Sequence, residues 1–287
     1  MPRNLLLATM VSLILSPASS VDTIVNRGVD NFCMLKDLER GTMLDEHGKG
    51  CDGIALQWDK LEDKHVDEIT KWAAAGNLTG MSLRGNDLSD ADATRLMQAV
   101  AASTSLISFS YRDNALGQSG GHAVAKLAAN GHLEVLSMRS IPIGTEEGSI
   151  VALAKALRHN THLKALDMSV CDIDTQGVMA LAKALGENRV LERLDLRHNP
   201  VGDEGAIALA KAIETLPDDS SLNEVLIDHP SIGNAGMRAL KKAAKQVPRV
   251  DVWKLWHHKY TEMRYSWANE VIKDEEAKGD EKEKDEV

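Results

Sequence analysis

One unit of 27 to 31 residues recurs along most of this chain, and it constrains the fold more than any other feature. In the copy from Leu191 to Ile213, apolar residues first alternate with polar ones and then recur at every third or fourth position. The first spacing is typical of a β-strand and the second of an amphipathic helix. Copies of the unit start at residues 51, 78, 106, 133, 163, 191, 222 and 250.

Stacking of these units predicts the fold class. A single strand and helix cannot bury their apolar faces alone, whereas stacked units share one continuous core. We therefore expect an α/β fold, a right-handed solenoid over residues 51–256, with parallel strands on the concave face and helices on the convex face. The glycine pair Gly202-x-x-Gly205 predicts a turn between strand and helix, in which glycine tolerates a positive φ.

The apolar positions follow the template L-x-x-L-x-L-x-x-N/C-x-L, which in one copy reads Leu191, Leu194, Leu196, Asn199 and Val201. On this pattern the chain is identified as a leucine-rich repeat protein. At these repeat lengths it resembles the ribonuclease-inhibitor-like class. That resemblance implies a horseshoe and a non-catalytic role, since the class contains inhibitors, ligand sensors and scaffolds. Its members are mostly intracellular.

The first twenty residues predict a different compartment for this chain. A basic start at Arg3 precedes an apolar run from Leu5 to Leu15, and small residues follow Pro17. This arrangement is typical of a cleaved signal peptide over residues 1–20, although a buried N-terminal helix would also need an apolar run. We expect a protein of the secretory pathway, either extracellular or in the lumen of the endoplasmic reticulum, with no membrane span in the mature chain.

The regions beside the repeats are interpreted as caps. Apolar residues at helical spacing predict an N-terminal helical cap over residues 21–50, and an aromatic segment predicts a C-terminal helical cap over 257–273. The aromatic residues could instead form a ligand cage. Cys33 and Cys51 could form a disulfide, which would leave Cys171 free.

The last fourteen residues, 274–287, contain eight acidic residues and three lysines, and we predict that they are disordered. They end in Lys284-Asp285-Glu286-Val287, which resembles the retrieval signal of the endoplasmic reticulum except for the final valine. A tail of Lys, Asp and Glu also contains such a run by chance. The net charge of −10 argues against nucleic acid as a partner.

One column of the predicted concave face is rich in arginine. The residue that follows the second inward-facing position of each strand reads, in order, Gln57, Arg84, Arg112, Arg139, Ser169, Arg197, Asp228 and Trp256. Two positions earlier, serine in the first repeats gives way to Asp167 and Asp195. Because adjacent strands lie about 4.8 Å apart, three consecutive arginines repel one another unless anions lie among them.

Several sources could supply those anions. A partner protein could present acidic, sulfated or phosphorylated groups, which arginine binds through its fork of donors. The acidic tail of the chain could fold back. Alternatively, solvent and neighbours such as Asp113 could suffice. We predict a ligand-binding face formed by Arg84, Arg112, Arg139, Arg197, Asp167 and Asp195.

The sequence offers little support for an enzyme. The run Gly117 to Gly121 matches a G-x-S-x-G nucleophile motif, but its glycines recur in other repeats at the same turn. No catalytic residue, metal site or cofactor is predicted. Asn77 begins the one N-x-[ST] sequon and is a candidate glycosylation site.

These observations predict a non-catalytic module that binds a protein or an anionic ligand through an Arg/Ser-rich concave face. A luminal scaffold or folding helper is an alternative suggested by the two termini. Regulation of an enzyme is another, and it rests on fold analogy alone. The oligomeric state is left open.

Overall fold

The computed structural model describes residues 32–40, 42–43, 50–129, 131–146, 148–228 and 230–252. The predicted signal peptide, the C-terminal cap and the acidic tail lie outside these residues. The described chain forms one parallel sheet of eight strands, which pair in sequence order from β1 to β8. The strands are β1 Phe32–Cys33, β2 Gly53–Gln57, β3 Gly80–Arg84, β4 Ser108–Ser110, β5 Val135–Ser137, β6 Ala165–Asp167, β7 Arg193–Asp195 and β8 Glu224–Leu226.

Helices alternate with the strands and cover one side of the sheet. They are α1 Leu35–Glu39, α2 Asp63–Ala74, α3 Asp90–Ala102, α4 Gln118–Ala128, α5 Ser149–His159, α6 Thr175–Leu185, α7 Gly202–Glu214 and α8 Asn234–Gln246, with a 3₁₀ turn at Ile143–Thr145. Each helix packs against its neighbours in sequence. The predicted open α/β solenoid of parallel strands and outer helices is therefore confirmed.

The core lies between the strands and the helices. In β7 and the residue after it, Leu194 and Leu196 point inward and are fully buried, and the helix that follows contributes Leu209 and Ile213. Full burial of such side chains contributes about 1.5–3 kcal/mol each. The core is almost entirely aliphatic because the same template positions repeat in every unit.

Buried asparagines satisfy the backbone where each strand turns toward its helix. The Asn199 side chain donates to the carbonyls of Met168 and Leu196, and its Oδ1 accepts from the N–H groups of Cys171 and Ile173. A buried backbone group without a partner is costly, so this side chain replaces the strand pairing that the turn interrupts. Cys171 occupies the same position one repeat earlier.

The glycine prediction holds for one member of the pair. Gly202 has a φ of 67°. Gly205 instead lies in the first turn of α7, and a Cβ there would lie 3.0 Å from Cγ1 of Val201. Close packing against the preceding turn explains this glycine, and a positive φ does not.

The N-terminal edge differs from the expected helical cap in one respect. Phe32–Cys33 forms a strand that pairs with β2 and extends the sheet before α1 begins. Cys33 and Cys51 form a disulfide with their Cα atoms 5.6 Å apart, and Cys171 is free and buried. The disulfide connects this edge strand to the first repeat.

Candidate functional site

Strand side chains that point away from the core lie on the concave face. Those at the same template position of successive repeats form a row across the strands. In β7, Asp195 lies between two inward leucines, and Arg197 follows them. The next residue, His198, has a φ of 59°, and the equivalent residues of five other repeats also have positive φ: Trp58, Gly85, Asp113, Ser140 and Val170. This left-handed residue turns the chain away from the sheet, so each arginine of the column stands at the end of its strand.

The first arginine of the column, Arg84, forms an ion pair within the chain. The Nε of Arg84 donates to Oδ2 of Asp113 at 2.6 Å. The same guanidinium lies 5.6 Å from the ring centroid of Trp58, a cation–π contact. Trp58 is an exposed aromatic residue at a left-handed backbone position. Its ring lies over Gly85, where a Cβ would come within 2.2 Å of it.

Arg112 is the most deeply buried arginine of the column, with 4% of its surface exposed. Burial lowers its pKa, and the positive charge of Arg139 lowers it further. The carboxylates of Asp167, Asp113 and Asp195 act in the opposite direction. Charged groups on several neighbouring strands therefore act on Arg112.

Two buried carboxylates lie opposite each other in the middle of the face. Asp167 of β6 pairs in register with Asp195 of β7. Asp167 accepts hydrogen bonds from the N–H and the hydroxyl of Ser169 at 3.0 and 2.7 Å, and a longer one from Ser137. Burial raises the pKa of Asp167, and the adjacent charge of Asp195 raises it further.

Arg197 supplies the counter-charge to this pair. Its Nε lies 2.9 and 3.1 Å from the two oxygens of Asp195, and its terminal Nη2 donates to the same carboxylate at 2.5 Å. Burial alone would lower the pKa of Arg197, but the hydrogen bonds and charge of Asp195 outweigh it, so the pKa is raised. A bidentate contact of this kind is a strong, charge-assisted interaction.

Arg139 differs from the other arginines of the column. It is half-buried, and its guanidinium forms no hydrogen bond or ion pair with the described residues. Its neighbour in the column on one side is Arg112, and on the other side it is the uncharged Ser169. The structure thus gives Arg84 and Arg197 a carboxylate partner each and leaves the guanidinium of Arg139 available.

A buried ion pair that the sequence reasoning missed lies beside the column. Arg193 of β7 and Glu224 of β8 are register partners, and their charged groups lie 3.0 Å apart with each side chain 8% exposed. Opposite charges at the same template position of adjacent repeats could have indicated it. The contact neutralises both groups within the sheet.

The remaining predicted sites lie away from this face. Asn77 is exposed in the turn between α2 and β3, while Leu78 is buried and the Thr79 hydroxyl donates to the Asp52 carbonyl at 3.0 Å. Glycosylation at Asn77 stays a prediction. Ser119 lies exposed in the first turn of α4.

The glycines beside Ser119 lie at the capped start of α4. The N–H groups of Gly117 and Gly120 donate to Oδ1 of Asp90 at 2.8 and 3.1 Å, so the Asp90 carboxylate caps α4 from the preceding repeat. Within the described ranges, no group of three or more His, Cys, Asp or Glu side chains could hold a metal ion. No described helix is long and apolar enough to cross a bilayer.

Comparisons with known proteins found one family match and solved structures of low sequence identity. The family described as Leucine Rich repeat matches residues 159–182 and 187–210. No curated protein matches the chain. A solved structure titled leiomodin-1 actin-binding site 2 is 12% identical, with a TM-score of 0.38, and the match covers 74% of this chain and 95% of that one. A protein from Bacteroides fragilis is 14% identical, with a TM-score of 0.47, and the match covers 76% of this chain and 70% of that one.

The family match falls on two consecutive repeats that contain β6, β7 and their helices. The same strand–helix unit, with buried apolar residues at the same positions, continues on both sides of them, and buried asparagines recur upstream at Asn86 and Asn114. The chain is a leucine-rich repeat protein.

Proposed function

We propose that this protein is a non-catalytic module of the secretory pathway that binds an acidic protein segment through the first half of its concave face. The observation that carries the proposal is Arg139. A half-buried guanidinium with no carboxylate partner in the described chain can form a bidentate contact with a carboxylate, sulfate or phosphate of a ligand.

The surroundings of Arg139 favour a protein ligand. Ser82, Ser110 and Ser137 form a row of small, buried side chains on β3, β4 and β5, so a ligand can approach the sheet closely. The buried charge of Arg112, the neighbour of Arg139 in the column, adds positive potential to the site. At the edge of the same half, Trp58 is 67% exposed, and tryptophan and arginine are the residues that most often dominate binding energy in protein interfaces.

The proposed compartment rests on two independent features. Residues 1–20 have the composition of a signal peptide. The disulfide between Cys33 and Cys51 supports an oxidising environment, since structural disulfides are rare in the cytosol. Retention in the endoplasmic reticulum is the second candidate, and the final residues Lys284 to Val287 favour it.

Affinity capture from the secretory compartment tests the binding site. The tagged full chain is compared with Arg139→Ser and with Arg95→Ser, a matched control that removes one exposed arginine from α3. We expect one specific partner that Arg139→Ser loses by about tenfold or more and that Arg95→Ser retains. Equal capture by all three proteins would remove Arg139 from the binding site.

Following a tagged copy in secreting cells tests the compartment. The tag is placed after residue 20, so that the C-terminus stays native. Secretion into the medium supports an extracellular role, whereas retention that is abolished by deletion of residues 284–287 supports the luminal one. A protein that remains in the cytosol would contradict both.

A further inference from the structure

The convex face carries two parallel rows that neither the fold nor the concave site explains. One exposed position near the start of five successive helices reads His122, Val151, Met179, Ile207 and Arg238. The central three are apolar, and 57%, 40% and 42% of their respective surfaces are exposed. These three large apolar side chains occupy one equivalent position of α5, α6 and α7, so they lie in one row across neighbouring helices.

Lysines occupy the position four residues later in the same helices. They are Lys126, Lys155, Lys183, Lys211 and Lys242, and all are exposed. Residues four apart on a helix lie on one face, about one turn from each other. The lysine row therefore runs beside the apolar row, on the same outer surface.

The lysine row is largely unneutralised. Lys242 forms an ion pair with Glu214, but Lys126, Lys155, Lys183 and Lys211 form none with the described residues. The chain as a whole has a net charge of −10. The convex face therefore carries a local positive charge, next to exposed apolar side chains, although the chain as a whole is negatively charged.

We propose that this convex face binds an acidic amphipathic helix of a partner protein. The exposed lysines favour an acidic partner. The spacing between successive residues of each row favours a helical partner. Neighbouring helices pack about 8–10 Å apart, and seven residues of a helix rise about 10.5 Å. A helix lying across α5, α6 and α7 would place every seventh side chain on Val151, Met179 and Ile207. Acidic residues on one flank would meet Lys155, Lys183 and Lys211.

A designed peptide provides the direct test. The peptide is a fluorescent helix with leucine at every seventh position and glutamates along one flank, and its control has the same composition in scrambled order. Fluorescence anisotropy measures binding to the mature full-length protein. The first variant, Val151→Ser/Met179→Ser/Ile207→Ser, removes the apolar row. The second, Lys155→Gln/Lys183→Gln/Lys211→Gln, removes the charges.

All six substitutions fall on exposed side chains, so the fold should tolerate them. Lys60→Gln/Lys64→Gln/Lys71→Gln is the matched control, because it removes the same charge from other exposed positions. We expect each of the first two variants to weaken peptide binding by about tenfold or more, and the matched control to change it by less than about twofold. The lysine variant should also show a weaker dependence of affinity on salt.

Four results would overturn the proposal. The scrambled peptide could bind as tightly as the designed one, or the row variants could bind normally. Binding of phosphatidylserine vesicles instead of the peptide, lost in both row variants, would assign the face to a membrane. Sedimentation that shows self-association, lost only in the apolar variant, would assign it to a second copy of this chain.

Discussion

The two halves of the concave face have the same backbone structure but differ in whether their arginines are ion-paired with buried aspartates. On β6 and β7 the outward position within the strand is aspartate, and the arginine of that half, Arg197, is bound in bidentate fashion to Asp195. On β4 and β5 the same position is serine, and Arg139 forms no ion pair with a carboxylate of the described residues. One template position therefore carries a structural arginine in one half and an available arginine in the other.

The difference shows that the column cannot be treated as one site. An arginine that is ion-paired with a buried carboxylate stabilises the fold, and a ligand can bind it only by displacing that carboxylate. An arginine without such an ion pair contributes little to the free energy of unfolding, so its guanidinium can bind a ligand. Matched substitutions in the two halves can separate these roles.

The largest expected effect comes from Arg197→Ala. The substitution removes the guanidinium that forms an ion pair with the fully buried Asp195, next to Asp167. We expect the free energy of unfolding to fall by about 2–3 kcal/mol at neutral pH, because a buried charge loses its partner. Urea denaturation measures this loss. A change below about 0.5 kcal/mol would mean that the contact contributes no stability.

Arg139→Ala is the matched substitution in the first half. Since its guanidinium has no partner in the described chain, we expect unfolding to change by no more than about 0.5 kcal/mol, the range typical of surface positions. The same denaturation experiment measures it. A loss equal to that of Arg197→Ala would show that the two halves do not differ.

A medium effect is expected at Val170, in the turn after β6. Val170 has a φ of 58°, an unfavourable conformation for a β-branched residue, and its equivalents include Gly85 and Asp113. Val170→Asn should raise the free energy of unfolding by about 1 kcal/mol, since asparagine tolerates this conformation. Thermal denaturation should show a higher midpoint. A lower midpoint would indicate that valine packing outweighs the backbone strain.

A smaller, pH-dependent effect is expected at Asp167. Burial raises the pKa of this carboxyl above its ordinary value of 3.8, and Asp195 adds to the shift. The folded state therefore holds this proton more tightly than the unfolded chain. The contribution of Asp167 to stability is largest at low pH and is lost as the pH rises from about 4 through the raised pKa.

Asp167→Asn has no such proton, while its amide oxygen can still accept from Ser169. We expect the variant to gain stability relative to the native protein as the pH rises from 4 to 7. Denaturation curves at several pH values within this range measure the difference between the two proteins. A difference that stays constant with pH would contradict the assignment.

The fold could be predicted from the sequence because each of its determinants is local and repeated. The spacing of Leu191, Leu194 and Leu196 defines a strand, and its recurrence defines the stacking. The role of Gly205 was predicted incorrectly, because a glycine required by close helix packing has the same appearance in sequence as one required by positive φ. The strand at Phe32–Cys33 was missed because two residues carry no periodicity.

The candidate site could be predicted only in part. The arginine column follows from alternation along a strand, but its partners depend on which side chains adjacent strands bring together. Asp195 and Arg197 are two residues apart and face the same side, so their pairing could have been inferred. The Arg84 contact with Asp113 spans 29 residues and depends on the register of the repeats. The apolar and lysine rows of the convex face recur visibly in the sequence, but the recurrence predicted only that these segments are helical.

The most direct test of the central claim is the rate at which an arginine-specific reagent, phenylglyoxal, modifies Arg139 and Arg197 in the same sample. Mass spectrometry measures both rates, in the protein alone and in its captured complex. We predict that Arg139 reacts several times faster in the free protein and becomes protected in the complex, while Arg197 reacts slowly in both. Equal rates for the two arginines in the free protein, or an Arg139 that stays reactive in the complex, would contradict the account.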